Sequence, residues 1–231
     1  MTVHLQRDLD KMKKDLLTMG GMVEEAIRKV MTGLIERRQD LLDEVIAEDK
    51  RIDEWENAID EEIIHLLALH QPVADDLRLV LMAMQVNNEM ERMGDHARNI
   101  ARMSRKFLSH PSMAPFYDGL ARAAECVLEM VTEALDSMVK RDAALARRVR
   151  RQDSRVDELC DETLDGLVAV MQRDSSLVPF SVQAVNASRN LERIADLATN
   201  IAKDVIFLVE GQIVRHGGRR AVTQGDQQIG G

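Results

Sequence analysis

Aromatic residues are scarce: Phe, Trp and Tyr together make up 3% of the 231 residues. Sandwiches and barrels draw on aromatic and β-branched side chains, so a β sandwich or barrel is not expected. Prolines are few (Pro72, Pro111, Pro115 and Pro179), and six of the twelve glycines fall from Gly211 onward. Long unpunctuated stretches in a chain 45% hydrophobic and 31% charged read as long amphipathic helices. Basic charge is also in deficit. The net charge of −9 argues against a nucleic-acid binder, whose footprint is a basic face. Arg215, Arg219 and Arg220 lie beyond Glu210 with only Asp226 against them, so the first 210 residues are more acidic than the whole. An acidic body attracts cations and basic partners. The two cysteines, Cys126 and Cys160, form no CxxC pair and read as reduced core or near-core thiols of a cytosolic protein. The N-terminus has no apolar signal-peptide core, and no stretch approaches the ~18 uninterrupted apolar residues of a membrane span. No P-loop, dinucleotide fingerprint or nucleophile–base arrangement is found, so a catalytic role is not expected.

What is present is helical periodicity. From Val3 to about Arg37, Leu5, Leu9, Met12, Leu16, Met19, Val23, Ile27, Val30 and Leu34 recur at steps of three and four. They form one apolar stripe, with Gly20-Gly21 as a weak spot inside it. A second helix is predicted from about Asp40 to Leu69 and stops at His70-Gln71-Pro72, because proline cannot continue a helix interior. A third runs from about Ala74 to Leu108, and Pro111 and Pro115 bracket the next break. Helices follow over about 116–139, 142–172 and, starting near Pro179, to Glu210. Three long helices joined by short turns pack as an up-down-up bundle. The expected fold is therefore all-α, with tandem three-helix bundles over 1–108 and 116–210. Residues 109–115 link them, and 211–231 form a Gly-rich tail expected to be disordered.

The two halves repeat. Glu91-Arg92-x-x-Asp95-x-x-x-Asn99-Ile100-Ala101 in the third helix matches Glu192-Arg193-x-x-Asp196-x-x-x-Asn200-Ile201-Ala202 in the sixth, at an offset of 101. Asp49-x-x-Ile52-Asp53 in the second matches Asp153-x-x-Val156-Asp157 in the fifth, at an offset of 104. The three-residue difference predicts a shorter turn before Pro179.

Each matched segment carries an acid followed four residues later by Asp: Asp49/Asp53, Glu91/Asp95, Asp153/Asp157 and Glu192/Asp196. Positions i and i+4 share a helix face about 6 Å apart. Facing helices would thus gather four carboxylates in each unit, which repel one another or take up cations. Hard Mg²⁺ or Mn²⁺ prefer such oxygen ligands, and Zn²⁺ or Fe accept them. Asn99 and Asn200 extend each stripe with amide oxygens. The competing reading is a solvated acidic face neutralised by arginines. In the first repeat Arg98 and Arg102 follow Asp95 by three and seven, whereas Thr199 and Lys203 stand there in the second. Ion pairing alone would have kept the bases as faithfully as the acids. Glu62-Ile-Ile-His65 has the ExxH spacing of di-iron bundles, but those need two copies and the fifth helix lacks one. His65 reads as a helix-surface or core-edge residue, and His96 as structural. One reading of these pairs is a carboxylate-bridged metal-binding helical protein with a structural or oxidase role.

The segments Gln71-Pro72-Val73-Ala74-Asp75-Asp76-Leu77-Arg78, Glu91-Arg92-Met93-Gly94-Asp95-His96-Ala97 and Leu191-Glu192-Arg193-Ile194-Ala195-Asp196 resemble the PhoU family of accessory regulators of bacterial phosphate uptake. The resemblance covers about residues 3–210. It implies two pseudo-symmetric three-helix bundles whose E/D-x-x-x-D motifs bind metal in some members. Those motifs fall on Asp49, Asp53, Glu91, Asp95, Asp153, Asp157, Glu192 and Asp196. It also implies a cytoplasmic homodimer that acts with the ABC transporter and its ATPase and with the sensor histidine kinase of the phosphate system, repressing the phosphate-starvation response. The second repeat departs from the pattern: Leu177-Val-Pro179-Phe replaces the first repeat's Gln-Pro-Val-Ala run, and Arg189 stands where the first repeat has Asn88.

Overall fold

The computed structural model describes residues 3–108, 110 and 117–210. Six helices follow one another: α1 (Val3–Ile35), α2 (Gln39–His70), α3 (Ala74–Phe107), α4 (Tyr117–Lys140), α5 (Ala143–Arg173) and α6 (Val178–Glu210). A 3₁₀ turn, Ser175–Leu177, leads into α6. No strand occurs among the described residues. The break at Pro111 and Pro115 and the tail from Gly211 lie outside the described residues.

All nine residues of the α1 stripe are buried, none more than 7% exposed. In α2, Leu42, Val45, Ile52, Ile59, Ile63 and Leu66 are buried, while Leu41, Ile46, Trp55 and Leu67 are half-buried at the margin. α1 and α2 thus each turn one stripe inward, α6 is buried over most of its circumference, and burying these apolar surfaces is the main favourable term in folding. α1, α2 and α3 pack as one unit and α4, α5 and α6 as the other. α3 against α6 and α1 against α4 join them, and a single apolar cluster runs through all six helices. Gly20 lies at the α1–α4 seam. A Cβ there would sit 2.7 Å from Leu135 Cδ1, so the break in the stripe is a place of close helix approach.

The repeat extends to the turns. Arg37 and Arg141, 104 residues apart, both adopt left-handed backbone (φ 55° and 50°). The amide after each donates five residues back, Arg38 to the Gly33 carbonyl at 3.0 Å and Asp142 to the Ser137 carbonyl at 2.9 Å. That is the Schellman helix end, built here without glycine. The next helix starts differ. Asp142 caps α5, its Oδ1 accepting from the amides of Ala144 (2.9 Å) and Leu145 (3.0 Å). Arg38, at the same place before α2, makes no side-chain cap. Three residues, Gln71 to Val73, separate α2 from α3, whereas Asp174 and the 3₁₀ turn, four residues, join α5 to α6, so the connection expected to be shorter is instead coiled into a 3₁₀ turn. Pro179 is the second residue of α6, in the first turn, where a missing N–H costs nothing. No helix among the described residues is long and apolar enough to cross a membrane.

Candidate functional site

The acid pairs fall on two faces, one between α2 and α3 and one between α5 and α6. On the first, Asp49 is buried (8% exposed) and Asp53, Glu91 and Asp95 are half-buried. α3 comes close to α2 because residue 94 is glycine: a Cβ there would stand 2.9 Å from Ile52 Cδ1. Arg98, one turn after Asp95, places its guanidinium between the helices. It pairs with Asp49 and, at 2.6 Å, with Asp95. Burial pushes the Asp49 carboxyl up, and Arg98 opposes that. Arg102 does not join this network.

Two acids that the repeat comparison misses belong to the first face. Glu56 and Asp60 continue the α2 stripe from Asp53 by three and seven residues, and both are half-buried. Asn87 of α3 closes that end, its Nδ2 donating to the Glu56 carbonyl and to Asp60 Oδ1, both at 2.9 Å. The signal was a search along α2 alone. Requiring a match in both repeats discards these residues, because the matching positions are Cys160 and Leu164. Burial, followed by Asp95, Glu56, Asp53 and Asp49, raises the Glu91 carboxyl to about 7. Burial and the neighbouring Asp60, Asp53 and Asp95 raise Glu56 too. Glu91, which Arg98 does not reach, therefore exchanges a proton with solvent near neutral pH, the usual response of a crowded, partly buried carboxylate.

The second face brings together Asp153, Asp157, Glu192 and Asp196. Asp153 is half-buried and the other three are exposed. Burial raises Asp153, reinforced by Asp196 and offset by Thr199 and Lys203. Burial, then Asp153, Glu192, Asp196 and Asp161, raises Asp157. Thr199, where the first repeat has Arg98, is buried and uncharged. Among the described residues no Lys or Arg makes an ion pair with any of the four acids. Asn200 turns elsewhere: its Nδ2 donates toward Glu89 Oε1 of α3 at 3.5 Å, and its Oδ1 accepts from Lys203 at 3.2 Å. Asn99 is half-buried on α3. Among the described residues no three Asp, Glu, His or Cys side chains converge on a common point as they would around a bound ion, so a cation requires side-chain rotation.

The histidines stand apart from both faces. Glu62 accepts from Lys11 at 2.5 Å and His65 is exposed, so the ExxH pair does not turn toward the acids. His96 is half-buried, and its Nδ1 meets Asn190 Oδ1 of α6 at 2.9 Å. Both cysteines are free. Cys160 is buried and Cys126 half-buried, and burial raises both thiols, which keeps them inert.

Comparison with known proteins agrees with this architecture. The PhoU domain model matches twice, over residues 16–104 and 120–205. The phosphate-specific transport system accessory protein PhoU homolog of Pseudomonas putida is 36% identical over 216 residues, 94% of this chain and 84% of that protein. PhoU of Escherichia coli K12 is 33% identical over 211 residues, covering 91% and 87%. The crystal structure of PhoU from Pseudomonas aeruginosa superposes with a TM-score of 0.86 at 35% identity, over 90% of this chain and 99% of that one. At 24% identity, the regulatory protein PhoU of Streptococcus pneumoniae shares the fold with a TM-score of 0.84, over 92% and 100%. With both copies of the domain matched and more than four fifths of each relative covered, the chain belongs to the PhoU family.

Proposed function

We propose that this chain is a negative regulator of phosphate uptake and of the phosphate-starvation response. It acts by binding partners, not by catalysis. The observation that carries the reading is membership of a family whose relatives are accessory proteins of the phosphate-specific transport system. The partners are the phosphate ABC transporter with its ATPase and the sensor histidine kinase, met in the cytoplasm by a homodimer.

The acidic faces are the proposed cation sites, and they fit a cation unequally. On the first, Arg98 already supplies positive charge to Asp49 and Asp95. On the second, Asp153, Asp157, Glu192 and Asp196 would hold the ion, Mg²⁺ or Mn²⁺ by ligand preference and Zn²⁺ or Fe by tolerance. Its positive charge would allow an acidic face to dock on a partner. The alternative oxidase role has no support in the surroundings of Glu62 and His65.

Deleting the gene tests the regulatory reading. Phosphate-starvation genes should become active in high phosphate, and a plasmid copy should silence them again. Unchanged expression in the deletion strain would falsify the reading.

A further inference from the structure

α3 and α6 cross antiparallel. Their cross-helix bonds pair Glu89 with Asn200 and His96 with Asn190. With a repeat offset of 101, this crossing brings equivalent residues of the two repeats face to face about a pseudo-twofold axis near Gly94 and Ala195. Beside that axis lies a cavity of about 350 Å³ lined by Arg92, His96, Arg193, Asp196, Leu197 and Asn200. Arg92 and Arg193 are repeat equivalents. In a strongly acidic protein, two arginines therefore share one cavity.

The arginines are available. Arg193 is exposed and makes no ion pair among the described residues. Arg92 is held only by Glu89, at 3.3 Å, with its side chain 51% exposed. Planar guanidinium groups suit the oxygens of a phosphate-like anion, which they bind in pairs of hydrogen bonds. The cavity also holds acceptors. Asn190 Nδ2 donates to the Asn186 carbonyl at 2.7 Å and lies 3.8 Å from Met103 Sδ. This orients its Oδ1 to accept from His96, so Nδ1 of His96 carries the hydrogen and Nε2 keeps its lone pair. The Asp196 carboxylate is a second acceptor. An anion without hydrogen is repelled by these two groups. An oxyanion that keeps an O–H at neutral pH can donate it to either while its other oxygens accept from the arginines.

We propose that this cavity binds a protonated oxyanion of the phosphate class, with Arg92 and Arg193 as donors and His96 Nε2 and Asp196 as the acceptors that select it over sulfate. The proposal draws on the regulatory reading only for the choice of phosphate as the probe. The test is calorimetric titration of the full chain, freed of divalent metal on a chelating resin, with inorganic phosphate and then with sulfate at equal ionic strength. Phosphate should saturate and bind about tenfold tighter than sulfate, the worth of one hydrogen bond to a charged group. Arg193→Gln, an exposed change with an unchanged thermal melt, should weaken phosphate about tenfold, and Arg92→Gln should do the same. Asp196→Asn, which adds an N–H donor, should narrow or reverse the preference. Three results would overturn the proposal: no saturable phosphate binding, equal affinity for sulfate, or wild-type affinity in both arginine variants. None of them touches the gene-expression test of the regulatory reading, so the two fail separately.

Discussion

The two acidic faces descend from the same pattern but handle their charge differently. On the first, six carboxylates lie along α2 and α3, Asp49 is buried, and Arg98 is inserted between Asp49 and Asp95. On the second there are four, three of them exposed, and Thr199 stands where the arginine would be. A deep face needs its counter-charge built in, because an unpaired buried carboxylate is costly. A shallow face can borrow a cation from solution. The acids recur in both repeats while the base appears in one, which is the outcome expected if gathering negative charge is the shared feature and internal neutralisation is local.

Exchanging the distinguishing residue gives the largest predicted effect. Arg98→Thr, which copies the second repeat into the first, leaves Asp49 buried without a partner. It should lower stability by about 3 kcal/mol in metal-free buffer, the low end of the scale for breaking a buried pair because Arg98 is partly exposed. Urea unfolding measures this, and added Mn²⁺ should return part of the loss by binding the folded state. If Arg98→Thr costs nothing, the first face is not neutralised from within.

A smaller effect concerns protons. The Glu91 carboxyl is raised from 4.5 to about 7 in the folded chain. Unfolded protein gives up this proton near its ordinary value and folded protein only near 7, so stability falls as pH rises through that window. Glu91→Gln removes the penalty. At pH 8 it should stabilise the metal-free protein by about 1 kcal/mol, with partial solvent exposure already discounted. Its advantage should vanish near pH 4.

The helix starts sharpen the comparison in a part of the fold far from the acids. Asp142→Ala removes two cap hydrogen bonds from α5 and should cost about 1 kcal/mol. Arg38→Ser at the matching start of α2 adds a cap where none exists and should gain less than that, because it gives up the Arg38–Asp40 pair. The smallest effect is shared by both repeats. Arg37→Gly and Arg141→Gly each relieve left-handed backbone at a non-glycine residue and should stabilise by about 0.5 kcal/mol. Unequal gains would show that the two turns are not equivalent.

Much of this was legible in the sequence, for reasons that also explain the gaps. Helix positions and the α1 core follow from a period of 3.6, which a long helix repeats many times, so local errors average out. The four acid pairs were visible because i and i+4 meet on a helix regardless of tertiary context. Glu56 and Asp60 were missed because they have no partner in the second repeat, and recurrence was the filter. That Arg98 reaches Asp49 on another helix depends on how closely α2 and α3 approach, and Gly94 sets that approach through packing. The cavity between Arg92 and Arg193 exists only because α3 crosses α6 antiparallel, which no single-helix pattern encodes.

Mn²⁺ titration of two matched variants, Asp153→Asn and Asp49→Asn, decides whether the second face is the uncompensated one. Asp153→Asn should weaken the tightest Mn²⁺ site about tenfold, as loss of one charged ligand does. Asp49→Asn, whose carboxylate is already held by Arg98, should leave that site within about twofold of wild type by the same reasoning. Equal losses in the two variants, or the greater loss in Asp49→Asn, would contradict it.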